Sequence, residues 1–444
     1  MKPFLIIAAI VLVIPLYLYL IGHWRTAFQG LLFILPFTGL PVLLLPSPVG
    51  ILFKDLAAVI PMYIGFLLWL RLRPGALGGI PPGIAIAMLL FSAIVLIQLA
   101  NPAIPVMMMG FIGAKVWLFY LPVYFLAYAF CESEGDVIRV GRIVVALGFL
   151  PSIIGLAEFG LSFSIGYERT MTMIYGSHAE AFTQQFSHFS PDSEMDLFRI
   201  PSTFPFATQY IGFIIAIIPI AFFVMKTDPG RRWRTAARLC LTLLFAAGIT
   251  SGSRQAFIFL PLEFFILIVL TNDLRTALTH LGAIALASLL LILPLWSKVT
   301  TLYAYESTLF SHYADTIAKK GLQQAVTEAP LGKGTGTNTG AARYALQQDV
   351  SFVAIENYYA KTVYELGVAG LIILAFTFAA IVANGLATWR RASTREGHII
   401  AGALVSFVMI ICLNSFKGWA LDLDPLNVYF WLFAGMLAKL RYIA

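Results

Sequence analysis

The chain has 444 residues, of which 60% are hydrophobic and only 11% are charged. In soluble domains about a quarter of residues are charged, so this composition excludes a soluble globular protein. It is typical of a polytopic helical membrane protein, in which each spanning helix needs about 20 mostly apolar residues. The net charge of +7 does not indicate nucleic-acid binding, because the basic residues cluster in short loops, as membrane topology selection produces.

Thirteen apolar runs predict the membrane spans, and the chain is expected to be an all-α integral membrane protein with about 12–14 transmembrane helices in a single domain, 1–444. The first run has no clear small-x-small cleavage site and predicts an uncleaved span. The second, interrupted by Pro36 and Pro41, and the short eighth are the least regular. The runs lie at 4–22, 28–45, 51–70, 84–100, 113–130, 141–158, 204–225, 238–251, 255–271, 279–297, 357–384, 398–415 and 425–440.

The distribution of lysine and arginine predicts the orientation. The loop 226–238 holds Lys226 and four arginines, and the loop 386–398 holds three more arginines. Short basic loops stay on the cytoplasmic side, so the two long polar loops, 159–203 and 298–356, are expected to face outward. In a bacterial inner membrane that side is the periplasm. The apolar periodicity of 307–327 predicts an amphipathic helix on the membrane surface, with a lid over a lipid-facing cleft as the alternative.

Three charged residues stand at the outer ends of predicted spans. Arg199 closes the first long loop, Arg254 lies in the tight turn Gly252-Ser253-Arg254, and Glu356 ends the second long loop. Charges at this depth are costly and usually functional. Arginine is always charged and planar, which suits a bidentate grip on phosphate. For each arginine alone, a snorkelling side chain or a structural ion pair is the alternative.

Other charged or glycine-rich elements add candidate contacts. The stretch 331–338, with Gly334 and Gly336, is either a flexible loop or a backbone cradle for a pyrophosphate; its spacing is not that of a nucleotide-binding loop. Lys361 lies one helical turn after Glu356 and is expected to pair with it or with a phosphate. Lys115 is a further charge within a span.

Metal and disulfide chemistry are not expected. The six histidines are scattered, no pair has metal-ligand spacing, and no aspartate-rich motif is present, so no metal centre is predicted. Lys54 beside Asp55 predicts a local ion pair near a span end. The cysteines at 131, 240 and 412 form an odd count without a framework of spacings, and no disulfide is predicted.

The order of these features resembles the O-antigen ligase and O-antigen polymerase family of bacterial envelopes. The resemblance covers the whole topology, and its specific part, the family-like core, runs over 199–370. In that family an arginine precedes a span, a Gly-Ser-Arg turn and a Gly-x-Gly stretch follow, and a polar residue plus asparagine opens a helix. That helix ends in Glu-Leu-Gly-x-x-Gly; the corresponding elements here are Glu356-Asn357 and 365–370.

The resemblance implies a GT-C-like membrane glycosyltransferase that needs no metal or other cofactor and inverts the anomeric carbon. Its donor and acceptor would be undecaprenyl-pyrophosphate-linked glycans in the bilayer, with a chain-length regulator and a flippase as further partners. Arg199 and Arg254 would stabilise the leaving pyrophosphate, and Glu356 would accept the proton of the acceptor hydroxyl. The remaining expected substrate contacts are Lys115, Lys361, Gly334, Gly336, Asn357 and Tyr358.

One departure from the family favours a polymerase of O-antigen or exopolysaccharide repeats. Ligases that join O-antigen to lipid A-core resemble one another in having a histidine where this chain has Glu356. A ligase remains an alternative. A flippase or transporter, the rival from another class, should carry its charges along a path through the bilayer midplane, whereas the charges here gather at one face.

Overall fold

The computed structural model describes residues 13–44, 49–176, 199–271, 274–301, 304, 321–346 and 355–443. Within these ranges the chain forms helices and connecting loops, and no β-strand occurs in them. The predicted all-α architecture is therefore confirmed. The predictions for 1–12, for parts of the two long loops and for residues 307–320 of the surface helix 307–327 lie outside the described residues.

The helices are numbered here in chain order. They are α1 Val13–Gly22, α2 Trp24–Ile34, α3 Gly39–Leu44, α4 Val49–Lys54, α5 Ile60–Leu72, α6 Pro82–Leu99, α7 Met107–Leu118, α8 Val123–Phe130, α9 Glu134–Ile165, α10 Tyr167–Tyr175, α11 Ala207–Thr227, α12 Arg231–Thr250, α13 Arg254–Thr271, α14 Leu274–Ile292, α15 Gly321–Glu328, α16 Gly340–Leu346, α17 Tyr358–Arg391, α18 Arg395–Asn414 and α19 Leu426–Leu440.

Nine helical segments in the described ranges are long and apolar enough to cross a membrane, and they coincide with nine of the thirteen predicted runs. This confirms a polytopic membrane protein. The other four runs differ: α1 is described only from Val13, α2 and α3 are separated by a turn, α12 carries four arginines at its start, and α19 has 15 residues. The total of 12–14 spans therefore stays a prediction.

Helix α11 lies at the centre of the bundle, and 94% of an 18-residue apolar segment of this helix is buried inside the protein. It packs against α9, α12, α13, α18 and α19. Small residues allow the close approaches: a Cβ at Gly155 would lie 2.2 Å from the Tyr210 hydroxyl, and one at Gly141 would lie 2.7 Å from a Val224 methyl. Close helix packing at small residues is how helices associate in a bilayer.

Two spans are interrupted near the end of the bundle that carries Arg254. The turn Asp55–Val59 is π-helical and joins α4 to α5, a local irregularity that often marks functional sites. Helix α17 is broken at Gly367, where φ is +77° and ψ is 177°. A side chain there would meet the Leu331 and Pro330 carbonyl groups within 2.9 Å, so glycine is required by both the backbone angle and the space.

The described helices shift two predicted loop boundaries. Helix α9 begins at a capping box on Ser133 and continues to Ile165, about two turns past the predicted loop start at 159. The span predicted from 279 continues to Thr301, past the predicted start of the second loop at 298.

The basic loops gather at the end of the bundle opposite Arg254. Arg142 forms a bidentate ion pair with Asp228, with distances of 2.7 and 3.0 Å, and the Thr394 hydroxyl donates to Glu134 at 2.8 Å. These contacts join the first part of α9 to the connections after α11 and α17 at one end. By the positive-inside rule this is the end expected in the cytoplasm.

The orientation can be tested with cysteine variants in a background lacking Cys131, Cys240 and Cys412. Gln323 and Ser393 are both exposed but lie at opposite ends of the bundle. We expect Gln323→Cys to react with an impermeant thiol reagent in intact spheroplasts, and Ser393→Cys to react only after lysis. The reverse labelling pattern would overturn the orientation.

Candidate functional site

A cavity of about 710 Å³ lies at the Arg254 end of the bundle. Its wall is formed by the start of α11, α13 and α17, by the loop 414–427 between α18 and α19, and by parts of α2 to α4 and α7. Five basic and three acidic residues line it, two more basic than acidic. They are Lys54, Lys115, Arg199, Arg254, Lys417, Glu356, Asp422 and Asp424.

The two arginines are brought to the cavity by adjoining backbone segments. Helix α12 ends at Thr250, and Gly252, with a φ of +69°, turns the chain so that Arg254 begins α13. The amide of Ile200, next to Arg199, donates to the Ser251 carbonyl oxygen at 3.1 Å. This bond ties the end of the first long loop to the arginine turn, so residues separated by more than 50 positions line one cavity.

Glu356 stands where the chain enters α17. The indole of Trp419 donates to the Ile355 carbonyl oxygen at 2.5 Å, and the Tyr358 amide donates to the Ser415 carbonyl oxygen at 2.9 Å. Both bonds connect the start of α17 to the loop 414–427. Glu356 is exposed and lines the cavity, so its carboxylate is accessible to a substrate there.

Asn357 and Tyr358 follow Glu356 but lie behind the cavity wall. The side-chain oxygen of Asn357 accepts hydrogen bonds from the amides of Tyr359 and Ala360 and caps α17, a position for which asparagine is among the preferred residues. Tyr358 is buried against the ring of Trp117, with centroids 5.2 Å apart. These contacts give both residues structural roles, and the substrate contacts expected from the sequence stay a prediction.

Lys361 is fully buried one turn into α17. It does not line the cavity itself, but it pairs with Asp422, which does. Its ammonium group lies over the ring of Trp117, 4.3 Å from the centroid, and 2.5 Å from Oδ2 of Asp422. The expected partner was Glu356 or a phosphate; the structure provides Asp422 instead. A buried lysine requires such a carboxylate, because an unpaired buried charge is strongly destabilising.

Asp422 is a cavity residue that the sequence analysis missed. Its side chain is only 5% exposed, and its second oxygen, Oδ1, has no hydrogen-bond partner among the described residues. Burial raises the pKa of Asp422 to about 6; Lys361 opposes the increase and Glu365 adds to it. The group is therefore a weaker acid than an ordinary aspartic acid, and its conjugate base is correspondingly stronger.

Lys54 and Lys115 belong to an ion-pair network in the cavity wall. The predicted pair of Lys54 with Asp55 is present at 3.1 Å, but Lys54 also pairs with Asp424 at 3.0 Å. Lys115 lies 2.5 Å from the other Asp55 oxygen, and the Tyr120 hydroxyl donates to Asp55 at 2.6 Å. A substrate contact by Lys115 would thus compete with an existing ion pair.

The glycine-rich stretch 331–338 is a packed element of the bundle. Gly334 donates its amide to the Glu365 carbonyl oxygen at 3.1 Å, and Gly336 donates to the Glu365 carboxylate at 3.1 Å. A Cβ on Gly113 of α7 would lie 2.0 Å from the Gly336 amide. This packing differs from the flexible-loop alternative; for the alternative of a pyrophosphate cradle, neither glycine lines the cavity, and only the residues that follow, from Thr339 to Ala341, do.

Of the nine predicted site residues, four line the same cavity: Arg199, Arg254, Glu356 and Lys115. Lys361 is linked to it through Asp422, and the other four are in the surrounding structure. The sequence analysis missed Lys417, Asp422 and Asp424. The sequence could have indicated them, because three charged residues occur within the short connection between two predicted spans.

The arrangement combines cations, which can bind an anion, with carboxylates, which can accept a proton. A volume of about 710 Å³ lies within the range of roughly 300–1,000 Å³ that small-molecule sites occupy. Within the described ranges, no group of three histidine, cysteine, aspartate or glutamate residues could hold a metal ion.

Fold and cavity together define a polytopic helical membrane protein with a charged cavity at one end of its bundle. No protein-family model matches the chain, and no curated protein matches it either.

The protonation of Asp422 can be measured without an activity assay. In the infrared difference spectrum between acid and neutral pH, we expect a carboxyl band that titrates near pH 6 and is absent from Asp422→Asn. Removing the nearby cation in Lys361→Met should move this midpoint to higher pH, since the ammonium favours the ionised form. A midpoint near about 4, the ordinary aspartate value, would contradict the assigned environment.

Proposed function

We propose that the protein is a glycosyltransferase that polymerises undecaprenyl-pyrophosphate-linked oligosaccharide repeat units at the outer face of a bacterial inner membrane. The observation that carries the proposal is the common cavity of Arg199, Arg254 and Glu356 at one end of the bundle. The polysaccharide made would be an O-antigen or exopolysaccharide. A flippase that supplies repeat units to the outer leaflet and a chain-length regulator are the further partners in this proposal.

The arginines would act on the leaving group. When the bond between the anomeric carbon and the pyrophosphate breaks, the bonding electrons remain on the phosphate oxygen and negative charge develops there. Two guanidinium groups held in place before the reaction can stabilise that charge without reorganising. Their forked N–H donors match phosphate oxygens in pairs.

A carboxylate would act on the acceptor. The acceptor sugar hydroxyl gives its proton to the carboxylate while its oxygen bonds to the anomeric carbon, and polyprenyl pyrophosphate leaves from the opposite side with inversion. Glu356 is our first candidate because it is exposed in the cavity. Asp422 is the second, since a base is most effective when its pKa approaches the working pH, and the pKa of Asp422 is raised to about 6.

The position of the charges supports surface chemistry over transport. Six of the eight charged residues of the cavity lie near the starts of α11, α13 and α17 and in the connection before α19, at one end of the spans, and Lys54 and Lys115 join them from α4 and α7. An ion or lipid path would instead place its charges at the bilayer midplane, in broken helices. A ligase that transfers glycan to lipid A-core would use the same chemistry with a different acceptor.

The test of the carboxylate is Glu356→Gln, which keeps the size of the side chain and removes its basic oxygen. We expect chain extension to be abolished while single lipid-linked repeat units accumulate on the outer leaflet. Glu328→Gln is the matched control, because Glu328 is exposed on α15 and does not line the cavity. The readouts are polymer length on gels and the lipid-linked intermediates in each leaflet.

Each alternative result has a distinct meaning. Accumulation on the inner leaflet would assign a flippase, and normal polymer that fails to reach lipid A-core would assign a ligase. Normal polymer from Glu356→Gln together with no extension by Asp422→Asn would transfer the role of base to Asp422.

The test of the cations is Arg254→Lys, which keeps the charge but removes the fork. Loss of one contact to transition-state charge typically lowers the rate by about 10²–10³-fold, and we expect a decrease of that order in the rate of chain extension by purified protein. Arg169→Lys, on the exposed surface of α10, should leave the rate unchanged. Near-normal extension by Arg254→Lys at equal protein level would give this arginine a structural role only.

A further inference from the structure

Ser202, three residues after Arg199, has an unusual backbone. Its φ is +52°, and no other residue than glycine has a positive φ in the described part of the chain. Such conformations are costly for residues with a Cβ, persist only where the surroundings impose them, and concentrate at functional sites. The contacts around Ser202 must therefore hold its backbone in this conformation.

A fully buried carboxyl group holds this turn from α9. The amide of Ser202 donates to Oε2 of Glu158 at 2.9 Å. The hydroxyl of Tyr175, at the end of α10, lies 2.5 Å from Oε1 of Glu158 and 2.8 Å from the Ser202 carbonyl oxygen. Glu158 and Tyr175 thus contact both the donor and the acceptor of the Ser202 backbone.

The same segment is fixed on its other sides. The Ser202 hydroxyl donates to the Pro151 carbonyl oxygen at 2.6 Å. The next residue, Thr203, donates its hydroxyl to the Pro36 carbonyl oxygen at 2.5 Å and accepts from the Gly39 amide at 3.1 Å. With the bond from Ile200 to Ser251, every residue but Pro201 between Arg199 and Phe204 is tied by hydrogen bonds to another element.

Burying a carboxyl group inside a bundle has a large desolvation cost, and general stability does not require one, since apolar packing would serve. In the described residues, both hydrogen-bonded contacts of the Glu158 carboxyl group lead to the turn that carries Arg199. Neither Glu158 nor Tyr175 lines the cavity, so any effect they have on a ligand must pass through that turn.

We propose that Glu158 and Tyr175 form a positioning clamp that sets the Ser202 turn and thereby aims Arg199 at the pyrophosphate. The inference rests on the proposed function and adds to it two residues that do not touch the substrate. The clamp explains why the strained turn is a serine with three hydrogen-bond partners, whereas a glycine would adopt the same angle without support.

The experiment measures binding of inorganic pyrophosphate to the purified full chain in detergent by titration calorimetry. The variants are Arg199→Lys, Glu158→Gln, Tyr175→Phe and the two double variants with Arg199→Lys. Glutamine keeps one acceptor oxygen for the Ser202 amide and replaces the other with a donor, so the hydrogen bond that the Tyr175 hydroxyl donates to Glu158 is lost. Tyr175→Phe removes a single hydroxyl at the end of α10 and serves if Glu158→Gln does not fold.

Because a hydrogen bond to a charged group contributes about 1.5–3 kcal/mol, we expect Arg199→Lys to weaken pyrophosphate binding by about 10- to 100-fold. Each clamp variant should weaken it by about tenfold. In the double variants the clamp change should add less than about twofold, because residues that act through one group are not additive. Ser162→Ala, one turn from Glu158 on α9, and Tyr124→Phe, a buried hydroxyl at the opposite end, should bind as the wild type does.

Three outcomes would overturn the clamp. Clamp variants that bind pyrophosphate normally while Arg199→Lys does not would remove the clamp and leave the proposed function intact. Fully additive losses would show a general structural role for Glu158 and Tyr175. Unchanged binding by Arg199→Lys would remove the role of the arginine itself, and the proposed function would fail together with the clamp.

Discussion

The cavity wall depends on one fully buried carboxylate, Glu365. Its oxygens accept hydrogen bonds from the Trp117 indole and the Gly336 amide, at 2.7 and 3.1 Å. The Asn338 amide and the Thr339 hydroxyl donate to it at 2.8 and 2.9 Å. Removing a carboxylate from water is tolerated only with such a set of donors.

Because the donors come from α7 and from the glycine-rich stretch, Glu365 fixes both against α17. Trp117 then supports Lys361, which in turn holds Asp422 at the cavity.

The sequence was sufficient for the membrane fold and for part of the site. Hydropathy predicts spans well because no backbone polar group can go unpaired in hydrocarbon. Arg199, Arg254 and Glu356, the charges at predicted span ends, line one cavity together with Lys115 from within a span. Their chemical roles remain predictions.

The rest of the site depends on contacts between distant segments. A glycine-rich stretch can bind an anion through its backbone amides, or it can pack closely against a helix. The amides of Gly334 and Gly336 both donate to Glu365, and these contacts show that the stretch is packed. The charges of 417–424 were visible in the sequence, but the fold of this connection over the cavity depends on the bonds of Ile355 and Tyr358 to Trp419 and Ser415.

The two kinds of functional group in the cavity belong to two separately braced parts of the bundle. The carboxylates of Glu356 and Asp422 are joined through the start of α17 and the loop 414–427, whereas the arginines are joined through the bond of Ile200 to Ser251. Helix α11 continues from the arginine segment and α18 leads into the loop 414–427; the two helices pack against each other and are the most buried of the candidate spans in the described ranges. A transfer reaction needs its base and its anion-binding cations at a fixed separation, and sites built on rigid elements achieve this better than sites on loops. The buried pairs in this wall therefore serve geometry: Lys361 anchors Asp422, and Asp55 anchors Lys54 and Lys115.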